Sequence, residues 1–250
     1  MVFFDANIIY GTPNTRNYLK PVHTIAGVKK EMARAGIAKG LVRRVEQFFA
    51  GTSTANRLVA EDVKKEKNLW GVWAILPEHT HEIPGPDAIQ REMKKNRIAC
   101  WQFYPAQHNF VFHHRVLKSW LALAQAKNIP IFIDLTKGIS MRDLIDVLEK
   151  FSRLTVIISY NSVWPCDRMI RPMLAEFPHV YIELSNYISD QGIEDLVAAM
   201  GAQRLLFGSR FYECHFGQLM LIIKHTRISE KDRALIAGGN LERILERAKL

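Results

Sequence analysis

Short apolar runs separated by amphipathic stretches recur along the whole chain. Eight runs predict strands: Val2 to Asp5, Gly40 to Arg43, Gly71 to Leu76, Ala99 to Tyr104, Pro130 to Leu135, Val156 to Tyr160, Val180 to Leu184 and Leu205 to Gly208. They are rich in Val, Ile, Phe and Tyr and mostly apolar on both faces, as parallel strands covered on either side are. Between them, apolar residues fall at helical spacing. His23 to Ala35 presents Ile25, Val28, Met32 and Ala35; His114 to Ala126 presents Leu117, Leu121 and Ala124; Met141 to Phe151 presents Leu144, Val147, Leu148 and Phe151. Residues 51–67 open on Gly-Thr-Ser-Thr and predict a further helix. Gly36, Pro130 and Pro178 stop helical patterns just ahead of strands. Strict alternation of strand and helix implies right-handed crossovers and a parallel sheet. Eight such repeats close most naturally into a barrel. The expected fold is therefore α/β, a single (β/α)8 TIM-like barrel spanning residues 1–250, an ordinary length for one such domain.

Composition narrows the class without changing the fold. The chain is 48% hydrophobic and 24% charged, the balance of a soluble globular protein. No apolar run reaches the roughly 18 residues that would span a bilayer. The opening Met1-Val2-Phe3-Phe4-Asp5 has no basic segment and meets an acid at once, unlike a signal peptide. Cys100, Cys166 and Cys214 are odd in number and widely spaced, which suits reduced thiols and a cytoplasmic protein. The net charge of +9 is spread along the chain, often beside acids, as in Glu61-Asp62-Val63-Lys64-Lys65-Glu66-Lys67. Such a surface keeps a protein soluble and predicts neither a nucleic-acid nor a membrane partner. A homo-oligomer stays open.

Nucleophile and phosphate motifs are missing. The sequence has no G-x-S-x-G elbow, no P-loop and no G-x-G-x-x-G. Ser209 follows a glycine but no second glycine comes after it. Cys100 lies inside a strand and is expected to be an inert core thiol. Glu183 sits in another strand, and alternation leaves open whether it faces the barrel interior or the helices.

Four segments, in order and covering most of the chain, carry a resemblance. They are Asp5-Ala6-Asn7-Ile8-Ile9-Tyr10-Gly11; Leu76-Pro77 with Gln102-Phe103-Tyr104-Pro105-Ala106-Gln107-His108-Asn109-Phe110; Asn128-Ile129-Pro130-Ile131-Phe132-Ile133; and Arg204-Leu205-Leu206-Phe207-Gly208-Ser209 with Gly238-Gly239-Asn240-Leu241-Glu242-Arg243-Ile244-Leu245. Together they resemble the amidohydrolase superfamily, in its amidohydrolase-related, metal-dependent hydrolase barrels. The resemblance implies one or two metal ions at the C-terminal mouth. Their ligands would be two histidines after strand one, histidines ending strands five and six, and an aspartate ending strand eight. Here Asn7 and Ile9, Asp134, Tyr160 and Arg210 stand at those positions. Isoleucine cannot ligate zinc, and arginine brings a fixed positive charge. The chain therefore resembles a divergent member lacking the metal ligands, and no cofactor is expected. Zinc or another divalent ion is the weaker alternative, at His79-Thr80-His81 with Glu78 and Glu82, or at His113-His114.

Barrel enzymes place their sites at the C-terminal ends of the strands. Those ends gather a polar set here. Asp134 is the candidate general base or hydroxyl acceptor, Tyr160 the candidate donor, and Arg210 the candidate partner of a carboxylate or phosphate. Asn7, Gln102, Tyr104, His108, Asn161 and Ser185 are candidate substrate-binding residues, with Asn186 beside them. Two readings follow. One is a hydrolase, decarboxylase or lyase acting on a small polar or anionic molecule without a metal. The other is an inactive barrel that binds a small molecule or a partner protein, its mouth plugged by an Arg210–Asp134 ion pair.

Overall fold

The computed structural model describes residues 1–14, 21–159, 167–187 and 189–249. The strands are β1 (Phe3–Tyr10), β2 (Ile37–Arg44), β3 (Leu69–Ala74), β4 (Ile98–Gln102), β5 (Ile131–Asp134), β6 (Val156–Ser159), β7 (Val180–Glu183) and β8 (Leu205–Leu206). They form one sheet in sequence order, every neighbouring pair parallel. The Ala6 amide donates to the Phe207 carbonyl at 3.0 Å and the Ile9 amide to Phe211 at 2.5 Å, so β8 returns to β1 and the barrel closes. The helices are α1 (Ile25–Ala35), α2 (Thr52–Val63), α3 (Pro86–Lys95), α4 (Pro105–His108), α5 (Lys118–Lys127), α6 (Met141–Lys150), α7 (Asp167–Glu176), α8 (Gly192–Met200), α9 (Gly217–His225), α10 (Glu230–Ala234) and α11 (Asn240–Arg247).

Local chemistry sets several boundaries. Thr24 caps the start of α1 through the Gly27 amide, and Gly36 ends it in the left-handed region at φ 79°. Ser140 and Asp143 make a reciprocal capping box at the start of α6. The third predicted helix starts late: α5 begins at Lys118, so His114 lies in the turn before it. The largest boundary difference is in β1, which runs to Tyr10 instead of ending at Asp5. Asp5 and Asn7 are polar residues at and just beyond the predicted strand end. They stay in the strand because both are buried and hydrogen-bonded, with an irregularity between Asp5 and Ile8 that shifts the register.

Alternation divides the barrel interior from its outer face. Phe4, Leu41, Val72, Cys100, Phe132, Ile157, Tyr181 and Leu206 belong to one apolar cluster to which every strand contributes. Leu241 and Ile244 of α11 belong to the same cluster and seal the barrel where the strands begin. The Gly-Gly-Asn segment makes that seal. A Cβ on Gly238 would lie 2.8 Å from the Val2 carbonyl, so only glycine lets this turn approach β1. Asn240 is fully buried, and its Nδ2 donates to the carbonyls of Ala202 at 2.7 Å and Leu205 at 2.9 Å, just where β8 starts. Burial pushes the Cys100 thiol up to about 12, as expected of an inert core cysteine.

Asp5 fastens the seam between β1 and β8. Its Oδ1 accepts the amides of Asn7 at 2.8 Å and Ser209 at 3.0 Å. Complete burial raises its carboxyl to about 7; the hydrogen bonds from Ser209 and Asn7 oppose the rise, and the nearby Glu183 adds to it. The folded protein thus keeps a proton that the unfolded chain releases near 3.8. Stability should be full below that value and fall as pH climbs toward 7, by on the order of 4 kcal/mol, then level off. Asn at this position retains the amide acceptor and cannot ionise. The urea midpoint of Asp5→Asn should therefore exceed that of the parent by a margin that widens from pH 5 to pH 8. A margin independent of pH would show that Asp5 is not the titrating group.

Candidate active site

Two residues beyond the apolar layer, each strand again presents an inward position. Arg43, Ala74, Gln102, Asp134, Ser159, Glu183 and Gly208 occupy these positions on β2 to β7 and just after β8, with Asn7 completing the ring from β1. This second layer is mostly polar, and it lies at the C-terminal mouth, where barrel enzymes hold their sites.

Glu183 organises one side of the ring. It is fully buried and faces inward, which decides the question the sequence leaves open. Its Oε2 accepts from Asn7 Nδ2 at 2.8 Å, Ser159 Oγ at 2.7 Å and Ser185 Oγ at 2.9 Å, and its Oε1 accepts the Ser185 amide at 2.5 Å. Asn7 Nδ2 also lies 3.2 Å from Ser159 Oγ. Gly208 makes room for the carboxylate: a Cβ there would sit 2.3 Å from Oε1. Two candidate substrate-binding residues, Asn7 and Ser185, are thus engaged by this buried acid. Ser159 belongs to the same cluster and was not singled out from the sequence.

Arg43 organises the opposite side. It is 1% exposed, and its guanidinium lies 3.8 Å above the centre of the Phe132 ring. It donates to Gln102 Oε1, and to the Ala6 carbonyl at 3.2 Å. Tyr104 is fully buried beside it. Burial drives the Tyr104 phenol above its ordinary range, and the nearby Arg43 charge pulls the other way. Among the described residues, Arg43 Nε has no hydrogen-bond partner, and the Tyr104 hydroxyl is close enough for the Arg43 guanidinium to act on it as a hydrogen-bond donor but reaches no acceptor of its own. The Tyr104 ring meets Phe48 and His108 edge-on, with centroids 4.8 and 5.5 Å away. His108 is half-buried, bonds the Gln47 carbonyl through Nε2 at 2.8 Å, and braces Tyr104 and the loop after β2. Burial lowers its pKa, with that bond opposing. The sequence treated Arg43 as the end of a strand. The usable signal was its place two residues after the inward Leu41.

At the rim, the expected Arg210–Asp134 pair does not form. Arg210 bonds Glu213 through Nε at 3.0 Å and through a second, shorter contact from NH2. The three-residue spacing lets these two side chains meet locally, ahead of any partner across the barrel. Burial works against the Arg210 charge, but the carboxylates of Glu213, Asp134 and Glu183 more than offset it and raise its pKa. Asp134 is partly exposed, and its Oδ1 takes both the Thr136 amide at 2.9 Å and the Thr136 hydroxyl at 2.6 Å. Its other oxygen takes no bond among the described residues. Tyr160 and Asn161 lie outside the described residues. Asn186 is partly buried in the turn after β7. His79 and His81 are exposed. Among the described residues, the three ligating groups that come within 4.8 Å of one another are His113, His114 and Asp146, in the connection before α5 and on α6. No described helix is long and apolar enough to cross a membrane.

Comparison with known proteins places this geometry. The chain is similar to an uncharacterized TIM-barrel protein from Bordetella bronchiseptica, at 20% identity over 99% of both chains and a TM-score of 0.73. It is similar to 2,6-dihydroxybenzoate decarboxylase from Rhizobium, at 12% identity over 98% of both chains and a TM-score of 0.75. A probable 2-pyrone-4,6-dicarboxylic acid hydrolase from Acinetobacter baumannii, with citric acid bound, matches at 12% identity over 98% of this chain and 100% of its own, with a TM-score of 0.74. At these identities the likeness shows the shared barrel. No curated protein matches the sequence. The family model described as Amidohydrolase matches residues 14–247, nearly the full length, and the chain belongs to that family.

Proposed function

We propose that the barrel mouth binds a small carboxylate-bearing molecule and hydrolyses or decarboxylates it without a resident metal ion. The observation that carries this reading is Arg43. It is a buried guanidinium whose partners, the Gln102 amide oxygen and the Ala6 carbonyl, are both neutral. Among the described residues, no carboxylate forms an ion pair with Arg43. An isolated buried charge is costly, and an anion that takes its free Nε–H offsets that cost. The Tyr104 hydroxyl offers a second donor beside it. Arg210 adds positive charge at the rim, shared with Glu213. Asp134, with one oxygen free, is placed to pass a proton. In hydrolysis it takes one from an attacking water and passes it to the leaving group; in decarboxylation, protonated from solvent before each turnover, it delivers that proton to the carbon that keeps the electron pair as carbon dioxide leaves, and ends as the carboxylate. Tyr160 and Asn161 enter this reading from the sequence alone. Dihydroxybenzoate and citrate, named with two of the structural relatives, are carboxylates of the proposed class.

The metal-independent part rests on the side chains at the mouth. A divalent ion there needs converging lone pairs. Ile9 supplies none, and the Asn7 amide nitrogen is turned to Glu183 and Ser159. Arg43 inside the mouth and Arg210 at its rim add positive charge, which opposes a further cation there. These residues do not fit a resident divalent ion.

Calorimetric titration with 2,6-dihydroxybenzoate and with citrate tests the anion site. Arg43→Met should weaken binding about 100-fold, since a charge-assisted contact is worth roughly 3 kcal/mol. Its melting temperature should stay within about 4 °C of the parent, because the lost bonds are offset by losing an unpaired buried charge. Unchanged affinity in Arg43→Met would remove the reading. Turnover of either probe, followed by carbon dioxide release or substrate absorbance, should persist in excess chelator and fall about 100-fold or more in Asp134→Asn. Activity that chelator abolishes and zinc restores would overturn the metal-independent part. Binding without turnover would favour the non-catalytic barrel.

A further inference from the structure

We propose that His113, His114 and Asp146 form a binding site for a zinc-class divalent metal ion outside the barrel, clamping the connection before α5 onto α6. This site is independent of the mouth. His114 Nδ1 lies 2.6 Å from Asp146 Oδ2, and His113 Nε2 lies 3.6 Å from the same oxygen. The two imidazoles are 4.2 Å apart and tilted by 34°. One ligating atom from each residue falls within 4.8 Å of the others. A tetrahedral zinc ion with bonds of about 2.0–2.2 Å holds its donors roughly 3.3 Å apart. The His113 contact, at 3.6 Å, must close by about 0.3 Å. The His114 contact must open by less than 1 Å, which Asp146 allows because its side chain is 38% exposed.

The protonation states are consistent with exchange for a metal. At 2.6 Å from a carboxylate oxygen, His114 Nδ1 carries the proton that bridges to Asp146, and a cation takes that proton's place. His113 Nδ1 accepts the Arg115 amide at 3.2 Å, so its proton sits on Nε2. Metal on Nε2 moves that proton to Nδ1 and releases the exposed Arg115 amide to water, losing one long hydrogen bond. Two imidazoles and one carboxylate, with a fourth position open to water, suit Zn2+, Ni2+ or Cu2+ better than Mg2+ or Mn2+. Lys150, one turn along α6, acts on Asp146 and opposes the cation, which limits the affinity.

Chelator-treated full-length protein titrated with Co2+ and then Zn2+ is the test. The expected result is about one equivalent of tetrahedral cobalt, displaced by zinc, with protons released on binding. Saturating zinc should raise the melting temperature by about 5–10 °C. His114→Ala and Asp146→Asn should each abolish the cobalt spectrum, and His113→Ala should weaken binding at least about tenfold. Asp146→Asn keeps the size and polarity of a partly exposed residue, so the fold survives it. Asp134→Asn should leave the stoichiometry unchanged. No uptake by the parent, or uptake that survives both His114→Ala and Asp146→Asn, overturns the site. Uptake lost in Asp134→Asn instead would put the ion at the barrel mouth and overturn the metal-independent reading as well.

Discussion

The carboxylate of Glu183 is the point on which the barrel mouth depends. It is fully buried, and it collects donors from Asn7 on β1, Ser159 on β6 and Ser185 after β7, while Gly208 after β8 leaves it space. A buried acid of this kind is tolerable only when each oxygen is satisfied, and loss of one donor leaves a charge that nothing solvates. The arrangement therefore fixes the strand ends against one another. Asp5 holds the neighbouring seam differently: one oxygen takes two backbone amides, the other has no partner among the described residues, and burial favours the protonated form. Below these acids the interior is wholly apolar and closed by α11. The polar layer sits between that floor and the mouth, and its side chains have little freedom to move.

That rigidity gives meaning to the difference between the two arginines. Arg210 spends its donors on Glu213 three residues away, and its charge is largely compensated at the rim. Arg43 is deeper, stacks on Phe132 and meets only neutral acceptors. Of the two, the deep one has unmet demand for an anion. The sequence-based expectation put Arg210 in that role because it stands at a familiar strand end. The geometry shifts the weight of the proposal to β2.

The fold was largely legible because it follows from periodicity. Eight apolar runs of strand length, with helical spacing between them, leave few topologies, and all eight runs overlap observed strands. What periodicity could not show was how far β1 extends, since Asp5 and Asn7 are polar and their partners Ser209, Ser159 and Glu183 lie more than 150 residues away. The candidate site was legible in part for a related reason. Residues at strand ends could be named, but which end faces inward depends on register. Counting in steps of two from the apolar layer reaches Arg43, Ser159 and Glu183; reading strand ends alone reaches Asn7, Gln102, Asp134 and Arg210. The Arg210–Asp134 pair failed because a local partner at three residues outcompetes one from a distant strand.

Within the proposed reading, the nature of the internal cation bears on which reaction suits the mouth. A metal ion activates water by lowering its pKa toward neutrality. A guanidinium has no such effect; it stays protonated and offers directed donors to an oxyanion. Hydrolysis at this mouth must then draw all its nucleophile activation from Asp134. Decarboxylation asks less: the substrate carboxylate has to be oriented and its neighbouring charge stabilised, and one proton has to reach carbon. In that proposal Arg43 and Tyr104 serve the first requirement and Asp134 the second, which makes loss of carbon dioxide the reaction to test before attack by water.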